Sequence, residues 1–192
     1  MMSKVLVLLA DGFEEVEALT CVDYIRRAGL DAIMVSTMED INVKGAHGIQ
    51  VKADMFLTDV KDASYYRALV IPGGLPGATN LRDNDHVIKI VQDFNENKRM
   101  IGAICAGPTV LARAGILEGK KVTCYPGFGK ELIGAQLKED IVVKDGNIIT
   151  SRGPATAVYF ALEIIEYLHS EGKEREVKKS ILLDLVENKK KS

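Results

Sequence analysis

The chain is expected to fold as an α/β protein with a mostly parallel central sheet and helices on both faces. Three observations predict this. Apolar runs of strand length alternate with helical patterns of 10–15 residues nearly from end to end, the signature of repeated βαβ units. Several runs, beginning with residues 5–10, are continuously apolar, as a parallel strand covered on both sides requires. Glycine and proline stand where these segments stop.

The elements follow in order. Residues 5–10 form the first strand, and the turn Asp11-Gly12 leads into a helix over 14–28 that Gly29 stops. Residues 32–36 are the next buried run, followed by polar stretches around Gly45 and Gly48 with a short strand at 49–51. The strand over 68–71 ends in Pro72-Gly73-Gly74. A helix is expected over 85–96, and a strand over 100–104 runs into Cys105. The helix over 108–114 is closed by Gly115, and 121–125 reads as another strand. Residues 141–143 and 148–150, joined across 144–147, read as a hairpin. A long helix follows Pro154 and runs to His169. In the charge-rich end, Val177, Ile181, Leu182 and Leu185 share one helical face. They predict an amphipathic helix over about 173–187, packed on the body or on a partner, before a solvated Lys189-Lys190-Lys191 tail. No repeat, low-complexity segment or linker interrupts the chain, so residues 1–192 are read as one domain.

Composition narrows the function. With 25 Lys+Arg against 27 Asp+Glu the net charge is −2, which argues against nucleic acid as a partner. Three cysteines and three histidines, with no CxxC or HxxxH spacing, argue against a disulfide framework and a metal site. The six-residue apolar run near the start is too short for a signal peptide or a membrane span. The protein is therefore expected to be cytoplasmic, thiol-reduced and away from membranes.

Ligands of parallel sheets bind beyond the carboxyl ends of the strands, where DGFEEVEA, PGGLPGATN and AICAGPT fall. Cysteines beside Ile and Ala are ordinarily inert core. Here Ala103 and Gly107 flank Cys105 with the small residues that a strand-to-helix nucleophile elbow needs, which favours a reactive thiol. A helix N-terminus there is expected to lower the thiol pKa. The turn at Gly73-Gly74 can donate one unobstructed N–H toward an oxyanion, with Ala106 donating the other. Taken alone, that turn reads simply as the end of a strand. Glu14 and Glu15 are accounted for by the helix dipole. Glu17 lies beyond the first turn, and facing inward it would be desolvated, hold a proton and act as an acid/base. None of His47, His86 and His169 is placed to meet Cys105. Cys21 reads as core, and Cys124 as buried packing or, alternatively, a resolving thiol. No GxGxxG or GxxxxGK[ST] motif is present.

These segments, together with DYIRRAGLDAIMVS, KVTCYP and IITSRGPATAVYFALEII, resemble the ThiJ/PfpI (DJ-one) family, in its DJ-one-like branch, over nearly the whole chain. The resemblance implies a flavodoxin-like three-layer sandwich and a homodimer. It places Cys105 on the elbow cysteine, Glu17 on the acid that hydrogen-bonds it, and Gly74 and Ala106 on the backbone donors. It puts Gly73, Tyr125, Pro126, Arg152 and Pro154 around the pocket. Two positions depart: Tyr125 stands where a histidine is found, and His47 where relatives often carry an arginine contributed across the dimer. A phenol, with an ordinary pKa of about 10, is a poor base at neutral pH. The implied activity is cysteine-dependent and cofactor-free, on small dicarbonyls or their adducts, of the glyoxalase III or deglycase type. The alternative is a redox sensor or redox-regulated chaperone. A peptidase or amidase is a weaker reading, because no Cys–His pair is visible.

Overall fold

The computed structural model describes residues 3–169 and 172–189. In chain order the strands are β1 (Lys4–Leu9), β2 (Asp31–Ser36), β3 (Asn42–Lys44), β4 (Gln50–Lys52), β5 (Met55–Phe56), β6 (Tyr66–Ile71), β7 (Met100–Ile104), β8 (Lys121–Val122), β9 (Gln136–Leu137), β10 (Val142–Asp145) and β11 (Ile148–Ser151). The helices are α1 (Glu15–Arg27), α2 (Gly77–Arg82), α3 (Asp85–Glu96), α4 (Pro108–Arg113), α5 (Ala157–Leu168), α6 (Lys173–Ser180) and α7 (Leu183–Lys189).

The central sheet runs β10-β11-β7-β6-β1-β2-β5. All its pairs are parallel except β10 with β11, which form the expected hairpin. Pleating sends alternate side chains of β1 to opposite faces. Val5, Val7 and Leu9 pack with Ile25 of α1 and Phe160 and Ile164 of α5. Leu6, Leu8 and Ala10 pack with Val91 and Phe94 of α3 and Leu111 of α4. Two apolar layers thus sandwich the sheet, and the fold is a flavodoxin-like α/β sandwich. The chain leaves β1 toward β2 and later returns to lay β6 on β1's other side. That reversal opens a crevice beyond the carboxyl ends of β1 and β6.

Several expectations change. The strand at 121–125 stops at Val122. Beyond it the Thr123 amide donates to Thr150 Oγ1, and the Tyr125 amide donates to the Cys105 carbonyl, so the segment peels off to wall the elbow. Residues 77–82, given no element from the sequence, form α2, and 42–44 pair with β4 as a hairpin apart from the main sheet. The C-terminal helix is two helices, because Leu182 adopts φ +60. The break rotates the apolar face. Val177 and Leu183 are buried and Ile181 packs against the core, while Leu182 and Leu185 are each 60% exposed. Lys190 and Lys191 lie outside the described residues. Among the described residues no helix is long and apolar enough to cross a membrane.

Val177→Ala removes two buried methyl groups and is expected to cost about 2 kcal/mol in urea unfolding. Leu185→Ala should stay within about 0.5 kcal/mol of the parent. Equal losses would show that the C-terminal segment packs as one continuous helix.

Candidate active site

The site is built on the elbow after β7. Cys105 takes φ +64, a left-handed conformation that costs a non-glycine residue about 1–3 kcal/mol unless its surroundings enforce it. Here they do: its amide donates to the Ser151 carbonyl and its carbonyl accepts from the Tyr125 amide, both at 3.0 Å. Gly107 has to be small, since a Cβ there would lie 2.6 Å from the Ile71 carbonyl oxygen. The Thr109 hydroxyl ties the turn down by donating to the Ala106 carbonyl at 2.7 Å.

The turn after β6 forms the second wall. Gly74 adopts φ +85, and a Cβ on it would meet the Glu14 nitrogen at 2.3 Å. Gly73 sits beneath the thiol: a Cβ there would lie 2.6 Å from Cys105 Cβ and 2.8 Å from Glu17 Oε2. Absence of a side chain at 73 is what lets thiol and carboxyl meet. Amides of Gly74 and Ala106 donate toward the Cys105 sulfur.

Glu17, on α1, is fully buried. Its Oε2 accepts the Gly73 amide at 2.7 Å, while Oε1 is buried without an aligned partner. The thiol and the carboxyl set each other's ionisation at short range, and the Gly73 amide adds an aligned hydrogen bond to the carboxyl. Burial pushes the Glu17 carboxyl up to about 7, against the lowering pull of the Gly73 amide and the thiol. Burial, then the charge of Glu17, push the Cys105 thiol up to about 12. This corrects the expected lowering by a helix N-terminus. Helix α4 starts three residues later, at Pro108, and its field is outweighed by desolvation and a neighbouring carboxylate. The Ala106 and Gly74 amides pull the thiol back down only in part. Once Glu17 is protonated its charge is gone, and the same amides favour the thiolate.

The remaining site residues spread around this centre. Tyr125 is half exposed, its ring edge-on to Phe128 at 6.5 Å and packed beside Gly153. Pro126 is exposed next to it. Arg152 Nη1 donates to the Glu139 carbonyl at 3.1 Å, and Pro154 opens a short 3₁₀ turn before α5. Thr156 Oγ1, hydrogen-bonded to Ser151 Oγ at 2.7 Å and accepting the Gly153 amide at 3.0 Å, braces this segment against the elbow. Sequence reasoning missed that brace, whose signal was a Ser/Thr pair around a glycine.

His47 is drawn elsewhere. Its Nδ1 lies 2.9 Å from Glu15 Oε2 and 3.7 Å from Glu14 Oε2, and its pKa is raised first by the Glu15 hydrogen bond and then by the charge of Glu14. Among the described residues no hydrogen bond or ion pair joins it to Cys105 or Glu17. Glu15, assigned only a dipole role from sequence, is buried and organises the 45–49 loop, accepting the amides of His47 and Ile49. Burial raises its pKa, but hydrogen bonds from the His47 side chain and backbone amides outweigh that and hold it below the ordinary value. Glu14, Glu15 and His47 also bring possible metal-donor atoms within 4.8 Å, and the Glu15 oxygens are already engaged within that cluster. Cys21 is fully buried with its thiol pushed far up by desolvation, and Cys124 is buried. His86 lies in the first turn of α3, its amide donating to the Asn84 cap, and His169 is the C-cap residue of α5.

Comparison with known proteins matches these features. The DJ-1/PfpI family model covers residues 3–167. Arabidopsis thaliana protein DJ-1 homolog B is 39% identical over 92% of the chain, which spans 40% of that protein's length. Drosophila melanogaster protein dj-1beta is 37% identical over 95% of the chain and 98% of its own. The Drosophila DJ-1beta crystal structure aligns with TM-score 0.90 at 39% identity, covering 95% of this chain and 98% of that one. A Toxoplasma gondii DJ-1 structure described as oxidized aligns with TM-score 0.89 at 34% identity, covering 94% and 98%. With the family match spanning most of the sequence and the elbow, glycine turn and buried glutamate assembled in one crevice, the chain belongs to the DJ-1/PfpI family.

Proposed function

We propose that the protein is a cofactor-free, Cys105-dependent enzyme acting on small dicarbonyls or their adducts, in the manner of a glyoxalase III or deglycase. The observation that carries this is the convergence on one sulfur of a buried, proton-holding carboxyl and two backbone amides. In this reading Glu17 takes the thiol proton as sulfur adds to the aldehyde carbon of methylglyoxal. Amides of Gly74 and Ala106 hold the oxygen that gains charge, and Glu17 returns the proton to it, giving a hemithioacetal. The Glu17 carboxylate then removes the C1 proton and the pair delivers a proton to C2, leaving a thioester of the 2-hydroxy acid. Water hydrolyses the thioester to lactate and restores the thiol. The sum is methylglyoxal plus water to lactate, with no net oxidation. A carboxyl with a pKa near neutrality suits both directions of proton transfer. The same reading takes the working form as a cytoplasmic homodimer, with exposed Val16 and Ile49 on the face to be covered.

A second reading rests on the unpartnered Oε1 of Glu17. As a carboxylic acid, Glu17 would donate from that atom to an oxygen of an oxidised Cys105, favouring arrest at the sulfinate. Two equivalents of peroxide supply the oxidation and leave as water. Peptidase chemistry has least support, since no histidine reaches the thiol.

Cys105→Ala should abolish lactate formation from methylglyoxal, and Glu17→Gln should lower kcat by roughly 10²–10⁴; full turnover in either variant removes the mechanism. Under mild peroxide, mass spectrometry should find Cys105 oxidised well before Cys21 and Cys124, and equal oxidation of the three would dismiss the sensor reading. The carboxyl also predicts a pH signature. Below about pH 4.5 Glu17 is neutral in both folded and unfolded chains. Between there and about pH 7 only the unfolded chain ionises it, so the native state loses stability as pH rises, levelling off above the folded value. Thermal unfolding of Glu17→Gln should therefore gain on the parent from pH 4.5 to 7, and a constant difference would mean the folded carboxyl titrates normally.

A further inference from the structure

We infer that Leu75 and Tyr125 form an apolar cleft across Cys105 that selects aryl-substituted 2-oxoaldehydes over methylglyoxal, an assignment of substrate class that rests on the activity proposed above. Cys105 follows β7, which lies between β6 and β11 in the sheet. The neighbouring strand on one side, β6, runs into Gly74, whose amide points at the sulfur, and the next side chain is Leu75. On the other side β11 runs into Gly153, on which the Tyr125 ring lies; a Cβ at 153 would stand 3.2 Å from that ring. The Tyr125 amide is bonded to the Cys105 carbonyl, which anchors the residue's main chain at the elbow. Leu75 and Tyr125 are nevertheless 55% and 46% exposed. Two large apolar side chains thus stand open to solvent on the two segments that flank the thiol.

Phe128 meets the Tyr125 ring edge-on, a contact that leaves much of the ring open to a ligand. Charge points the same way. Arg152, next to Gly153 on this wall, is turned to the Glu139 carbonyl, so its charge is directed away from the proposed aryl contact. A methyl group fills little of such a space. A phenyl group would bring its flat face against Tyr125 and its edge toward Leu75, the geometry aromatic pairs favour.

The test compares kcat/KM for phenylglyoxal and for methylglyoxal, following mandelate and lactate, in the parent, Tyr125→Ala, Tyr125→Phe and Leu75→Ala proteins. The parent should prefer phenylglyoxal. The preference should fall roughly 3- to 10-fold in Tyr125→Ala, the size expected of one lost aromatic contact, fall also in Leu75→Ala, and persist in Tyr125→Phe. An unchanged preference in Tyr125→Ala, or an equal fall in Tyr125→Phe, overturns the cleft. A second readout does not need turnover: the rate of Cys105 alkylation by iodoacetanilide relative to iodoacetamide, located by mass spectrometry and normalised to glutathione. That ratio should drop by a similar factor in Tyr125→Ala. If the parent turns over neither aldehyde, the proposed enzyme activity fails. In that event an unchanged alkylation ratio overturns the cleft as well, and a reduced one upholds it.

Discussion

The site depends on one hydrogen bond, from the Gly73 amide to Glu17 Oε2 at 2.7 Å. An ionised carboxylate with no exposed surface is unstable unless a donor meets it or a proton neutralises it, and this one has both routes. The bond pins α1 to the turn after β6, and the bare Cα of Gly73 lets Cys105 come down onto the same spot. Three segments remote in sequence are thus held at one point. Any side chain at 73 would separate the acid from the thiol before it altered either one's chemistry.

That closeness also sets the electrostatics. The charge of Glu17 raises the thiol's pKa, while the thiol draws the carboxyl's pKa down against burial, so the proton on Glu17 and the ionisation of the sulfur are linked. A lone cysteine at an elbow depends on helix amides to become a thiolate. Here the amides of Gly74 and Ala106 work against burial, and the balance swings with the proton on Glu17. The elbow strain at Cys105 is held by carbonyl and amide contacts to 151 and 125, the first of which Thr156 braces through the Ser151 hydroxyl. Reactivity is consequently a property of the whole crevice.

Glu15 shows a different use of the same helix. One turn of α1 carries two buried carboxylates with opposite fates: Glu17, short of donors, holds its proton, and Glu15, met by two amides and His47, is kept ionised. The His47 loop is fastened by that second carboxylate. Position on a helix face is legible in a sequence. How many donors wait at that position is not, because they come from residues thirty and more positions away.

Much of the architecture was legible. Continuous apolar runs identified the strands of the parallel sheet, since only burial on both faces permits them, and the small residues at 103 and 107 marked the elbow, where a Cβ at 107 would not fit beside the Ile71 carbonyl. Short elements were not legible: α2 has only six residues, opens on Gly77 and carries Thr79 and Asn80 in its middle, and the break at Leu182 is backbone geometry that periodicity cannot register. By itself the sequence determined the layered α/β fold, the identity of the one elbow thiol, and the lack of a histidine beside it. Only the tertiary structure decided that burial and Glu17 raise that thiol, that His47 serves Glu15, and that the turns carrying Leu75 and Tyr125 both meet the elbow through their backbones. The reason is physical. Fold follows from local pattern and burial, whereas pKa values and cleft walls depend on distances between strand ends that the sequence does not bring together.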